Sequence, residues 1–65
     1  MEKYYKVTSK VTSRRAYLFY DGEIEAEKKP EPTFKSLEYY DIYVDYFDTE
    51  KDAMDFIHDN KEKYK

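Results

Sequence analysis

The chain has no cysteine, one glycine and two prolines among 65 residues. Without cysteine there is no disulfide, no thiolate metal site and no cysteine nucleophile, which fits a reducing compartment. One glycine leaves none to spare for a loop that cradles phosphate. No apolar run approaches the roughly 18 residues of a membrane span. The start, Met1-Glu2-Lys3-Tyr4-Tyr5-Lys6, has no apolar stretch behind it such as a signal peptide requires. These absences point to a soluble, cytoplasmic protein. They also leave no Ser–His–acid set in a cleft, so enzyme activity is not expected.

His58 is the only histidine. Asp55 and Glu62 lie three and four residues from it, as helical neighbours. Two carboxylates and one imidazole fall short of a metal site, and the reading is a surface histidine with no metal and no cofactor. Residues 45–52 lack the glycine and ligand spacing of a calcium loop.

What the chain has instead is tyrosine and charge. Charged residues make up 42% of it, yet nine tyrosines and four phenylalanines argue against disorder. Those rings also help a domain this small, which buries only about 60% of its unfolded surface, to hold together. Residues 1–65 read as one domain. The net charge of −3 conceals a separation. Lys3, Lys6, Lys10, Arg14 and Arg15 face only Glu2 in the first 15 residues, whereas residues 36–59 hold eight acids against Lys51.

Alternation in Lys-Val-Thr-Ser, repeated at residues 6–13, predicts a first strand at 3–12 with Val7 and Val11 on one face. Asp21-Gly22 between two strand-like runs predicts a tight hairpin joining 16–20 to 23–27. That register puts Tyr17, Phe19, Ile24 and Ala26 on one face, read as core, and Leu18, Tyr20, Glu23 and Glu25 on the other. Pro30 and Pro32 mark residues 28–36 as a loop. A last strand spans 37–47, with Tyr40, Ile42, Val44 and Tyr46 read as core and Tyr39, Asp41, Tyr43 and Asp45 as the outer face. Thr49 with Asp52 resembles a capping box and opens a helix over 50–63. Its stripe is Ala53, Phe56, Ile57, Asn60 and Tyr64, and Lys61, Lys63 and Lys65 suit its end. The fold class is α+β: a small antiparallel four-stranded sheet in β-β-β-β-α order, with the C-terminal helix packed on one face.

If the helix covers one face, the other carries a tyrosine and carboxylate surface. The expected partner-binding residues are Tyr20, Glu23, Glu25, Tyr39, Asp41, Tyr43 and Asp45. Asp48, Asp52, Asp55 and Asp59 add a row of acids about 5–6 Å apart along the helix. Such a surface suits a basic groove, because a carboxylate row draws on the same field that attracts nucleic acid. Lys6 and Lys10 could instead neutralise Asp41 and Asp45 as ordinary cross-strand pairs. In composition the chain resembles the small acidic accessory proteins of bacteriophages and mobile elements, including DNA-mimic and anti-defence inhibitors. The expectation is a non-enzymatic protein-binding module, an inhibitor or adaptor that occludes a basic, nucleic-acid-binding site on a larger protein such as a nucleic-acid-handling enzyme. Two alternatives stand beside it. One is a single-stranded nucleic-acid binder using Tyr4, Lys6, Lys10 and Arg15, which the negative net charge disfavours. The other is a homodimer that buries its open sheet face against its own copy.

Overall fold

The structure, a computed structural model, describes residues 1–63, with side chains through Asn60. Tyr64 and Lys65, and the side chains of Lys61 and Lys63, lie outside the described residues. The elements are β1 (Glu2–Val11), β2 (Ala16–Ala26), β3 (Thr33–Ser36), β4 (Asp41–Phe47) and α1 (Glu50–Lys63). The strands form one sheet in the order β2-β1-β4-β3, with every neighbouring pair antiparallel. The α+β class and the β-β-β-β-α order are therefore as the sequence predicts.

The turns fall elsewhere than expected. Thr12 builds the first one. Its Oγ1 accepts from the backbone N–H groups of Arg14 and Arg15 at 3.3 and 3.0 Å. Its own N–H donates to the Arg15 carbonyl at 2.8 Å. A threonine hydroxyl that satisfies two turn amides stabilises a bend without glycine. Residues 37–40 form the matching turn between β3 and β4, closed by the Leu37 N–H on the Tyr40 carbonyl at 2.8 Å. Both turns sit at the same end of the sheet, because Val11 pairs with both Ala16 and Asp41. The expected loop thus contains β3, and the last strand begins at Asp41 rather than at 37.

Asp21-Gly22 makes no hairpin. The chain runs straight through it as one strand of 11 residues. Lys6 pairs with Gly22 and Val7 with Tyr20, so Asp21 is the extra residue of a β-bulge. Gly22 has φ +108°, a conformation that L side chains rarely adopt. The glycine is needed for its backbone, since a Cβ there would meet nothing within 4 Å. The bulge wins over the hairpin because β1 offers β2 a ten-residue partner, whereas a turn at Asp21-Gly22 would leave two five-residue arms.

The bulge also preserves the face partition. Tyr17, Phe19, Ile24 and Ala26 oppose Lys10, Thr8, Tyr4 and Glu2, all on one face of β1. Leu18, Tyr20, Glu23 and Glu25 oppose Ser9, Val7, Tyr5 and Lys3 on the other. On β4, Ile42, Val44 and Tyr46 oppose Lys10, Thr8 and Lys6, whereas Asp41, Tyr43, Asp45 and Phe47 oppose Val11, Ser9, Val7 and Tyr5. The groupings match the expectation, but the helix covers the opposite group. It lies over Val7, Ser9, Leu18, Tyr20 and Phe47, with Phe56 and Phe47 rings 5.1 Å apart. The residues expected as core, Tyr17, Phe19, Ile24, Ala26, Ile42, Val44 and Tyr46, share the open face.

Size and charge explain the choice. Val7, Ser9 and Ala16 are small, so Ala53 can approach until it and Val7 are both 0% exposed. On the other face a helix would have to bury the Lys6 and Lys10 ammonium groups, which is costly. Thr49 starts α1 by accepting the Asp52 N–H on its Oγ1 at 3.1 Å, a threonine cap that contributes about 1 kcal/mol. No helix among the described residues is long and apolar enough to cross a membrane.

Candidate functional site

Most of the residues singled out from the sequence lie on the helix side of the sheet rather than on an open face. Tyr20, Asp41, Tyr43 and Asp45 lie on the helix-covered face rather than an open one. Tyr20 hydroxyl donates to Glu50 Oε2 at 3.3 Å. Loss of water and then the Glu50 charge hold that hydroxyl above its usual range, so it stays a donor. Asp41 accepts from Ser36 Oγ at 2.8 Å. Tyr43 stands at the edge of the helix footprint, 39% exposed, its ring 4.8 Å from Phe34. Glu23 and Glu25 are exposed on the edge strand, with Glu23 3.8 Å from Lys3. Tyr39 projects from the turn at 37–40, 81% exposed. Asp48, at the foot of β4, meets Lys29 at 3.7 Å. Asp52, Asp55 and Asp59 are exposed along α1, and Asp55 pairs with Lys51 at 2.8 Å. Apart from Tyr39 and Asp48, all of them belong to the helix side of the sheet.

The expected neutralisation of Asp41 and Asp45 by Lys6 and Lys10 does not occur. β1 and β4 are neighbours, as that reading required. Their register sets Asp41 opposite Val11 and Asp45 opposite Val7, while Lys6 and Lys10 face Tyr46 and Ile42 on the other side. Lys10 Nζ instead sits 4.3 Å from the centre of the Tyr40 ring, a cation–π contact.

Asp45 is left half-buried, and no described hydrogen-bond donor or cation pairs with it. Burial raises its pKa above the usual aspartate value. The sign follows directly. The folded chain holds this proton more tightly than the unfolded chain, so Asp45 opposes folding at neutral pH and stops doing so as pH falls through its folded pKa. Asp45→Asn should therefore raise stability at pH 7 by about 1 kcal/mol, a figure discounted for the water the group retains. In thermal melts that gain should fade as pH falls to below about 3.9, the unperturbed aspartate value. A gain that ignores pH would contradict this assignment.

The open face is of another kind. Tyr4, Lys6, Thr8 and Lys10 run along β1, flanked by Tyr17, Phe19 and Ile24 on β2, by Ile42, Val44 and Tyr46 on β4 and by Lys35 on β3. Phe19 is 51% exposed and Tyr17 41%. Its acids are Glu2 at the margin and the bulged Asp21, which accepts from the Thr8 hydroxyl. Nothing among the described residues covers this face. The accessible surface is 5154 Å², against about 4,500 Å² for a compact chain of 8.0 kDa. The excess, roughly 700 Å², is of the order of the 800 Å² one partner gives to a standard interface. The chain is also flat, with principal extents of 38 × 24 × 13 Å.

Sequence reasoning missed Tyr17, Phe19, Lys35, Ile42, Val44 and Tyr46 as residues of the open face. The readable signal lay in β1, where Tyr4, Lys6, Thr8 and Lys10 mark a wet face against Val7 and Val11. Pairing β2 to it through residues 12–15 would have carried that face across. Among the described residues no three His, Asp or Glu side chains converge as metal ligands would, and His58 is exposed. The chain matches no family model, no curated protein and no solved structure at a significant level.

Proposed function

We propose that the protein is a non-enzymatic binding module that receives a single-stranded nucleic acid across its open sheet face. The observation that carries this reading is the composition of that face: Lys6, Lys10 and Lys35 interleaved with exposed Phe19 and Tyr17 and with Tyr4 and Tyr46. Aromatic side chains on a sheet take bases by stacking, and lysines between them take phosphates. Arg14 and Arg15 extend the positive charge from the turn at one end. The net charge of −3 does not oppose this, because the helix acids lie on the far side of the sheet. At physiological salt the field of an exposed charge is screened over about 8 Å, less than the molecule's shortest extent of 13 Å. Self-association fits the same face less well. A two-fold pair would press two sets of lysines together across faces whose described acids are Glu2 and Asp21.

Fluorescence anisotropy with labelled oligo(dT) tests it. The single strand should bind more tightly than a duplex, and the affinity should fall as salt rises. Lys6→Ala with Lys10→Ala should lower the slope of log K against log salt by roughly 1.4, or 0.7 for each phosphate that no longer meets a lysine. No binding at low salt, or a slope unchanged in the double variant, would contradict the reading. Light scattering on the same samples tells a dimer from a monomer.

The acidic row on α1 favours a second reading, an inhibitor or adaptor in the style of phage anti-defence proteins. There the helix side, with Asp52, Asp55 and Asp59, occludes a basic site on a larger protein. These acids are exposed, and Lys51 is the one described cation that pairs with them. The two readings use opposite sides of the sheet. Reversing the three aspartates to lysine would abolish such a partnership and leave oligonucleotide binding intact. The lack of cysteine fits the cytoplasm as the location for either.

A further inference from the structure

We infer that the cavity between α1 and the sheet is a binding site for a small organic amine. It lies on the opposite side from the open face, so the nucleic-acid reading and this one stand or fall separately. The cavity is about 230 Å³, and Ser9, Leu18, Tyr43, Asp45, Phe56 and Asn60 are among its lining residues. Its polar groups share a need. Ser9 is 6% exposed, and its buried Oγ has no hydrogen-bond partner. Asp45 is a carboxylate without a cation. Asn60 has committed its amide nitrogen to the Phe56 carbonyl at 2.8 Å, which leaves its side-chain oxygen as an acceptor. The Asp45 carboxylate, the Asn60 side-chain oxygen and the Ser9 hydroxyl, which can accept as well as donate, suit an ammonium group, which carries three N–H donors and a positive charge. The rings of Tyr43 and Phe56 add faces that attract the same charge.

The remaining wall, Leu18 with Val11 and Ala16, is apolar. An amine on one ring or a short apolar stem satisfies both halves of the cavity. The size agrees, since an apolar cavity of about 150 Å³ accepts benzene and nucleotide-sized or drug-sized ligands need about 300 Å³ or more. Tyr43, 39% exposed, marks the way in.

Benzylamine is a suitable probe. Titrated at pH 7 into the full chain, it should give saturable amide shifts at Ser9, Leu18, Tyr43, Asp45 and Phe56, with Kd on the order of millimolar for so few atoms. Benzyl alcohol, which lacks the charge, should bind at least about tenfold more weakly, as should benzylamine to Asp45→Asn. Shifts scattered over the surface, or equal binding of amine and alcohol, would overturn the assignment. The amine–alcohol comparison needs no variant, so it decides the matter on the native chain alone. Undiminished binding to a folded Asp45→Asn would overturn it equally.

Discussion

Replacing Phe19 by alanine should weaken binding of a single-stranded oligonucleotide roughly 5- to 150-fold, because one stacked base contributes about 1–3 kcal/mol. The ring is 51% exposed and stands opposite Thr8 on the open face, so little packing depends on it. Losing an aromatic from a strand costs at most about 1 kcal/mol of folding free energy, or roughly 4–8 °C in a domain of this length. A folded Phe19→Ala protein with unchanged affinity would remove Phe19 from the contact. A variant that unfolds would show instead that the ring belongs to the core, as the alternation alone suggested. Anisotropy and a thermal melt on one preparation separate the two.

Val7→Ala should do the reverse. Val7 is the largest fully buried side chain among the described residues, at the middle of the central strand and facing α1. Removing its two methyls loses about 0.8 kcal/mol of transfer free energy for each and leaves a cavity between strand and helix, about 2–3 kcal/mol in all. A chain of 65 residues has roughly 3–10 kcal/mol to lose. The melting temperature should drop by about 10–20 °C, and measurable unfolding at 37 °C is expected. What remains folded should bind an oligonucleotide as before, since Val7 projects away from the open face. A loss of affinity without loss of stability would mean that the helix side makes the contact.

These opposite expectations for two residues on adjacent strands show where the sequence could be read and where it could not. Alternation is a local property, so which side chains share a face was legible in β1, β2 and β4, though not in β3, which reads as loop. Leu18 goes with Tyr20 and Tyr17 with Phe19, and even Ile24 stays with Phe19 because the bulge keeps the parity that a two-residue turn would have given. The helix start was legible too, since Thr49 caps through its own side chain. Which face the helix takes is not local. It depends on the β1–β4 register that sets Asp45 opposite Val7, and on how closely Ala53 can approach. Aromatic and branched side chains at Tyr17, Phe19, Ile42 and Val44 look like core in any single strand, whereas Ser9 and Asp45 look like surface. Asp21-Gly22 misled for a related reason: a glycine at positive φ serves a bulge as well as a turn, and only the partner strand decides between them.

The acids are the clearest case. Asp41 and Asp45 belong to the helix side because β4 pairs with β1 in this register. The charge separation along the sequence thus becomes a separation between the two sides of a thin molecule. Lys6, Lys10 and Lys35 face one way, and Asp41, Asp45, Asp52, Asp55 and Asp59 the other.

The most direct measurement is an aromatic ¹H–¹³C titration with oligo(dT), because neighbouring strand residues report opposite faces. Phe19, Tyr17 and Tyr46 should shift together and saturate, while Tyr20, Tyr43 and Phe47 stay in place. Shifts at Tyr20, Tyr43 and Phe47 with Phe19 and Tyr17 unmoved, or no shifts at low salt, would contradict a nucleic-acid surface on the open face.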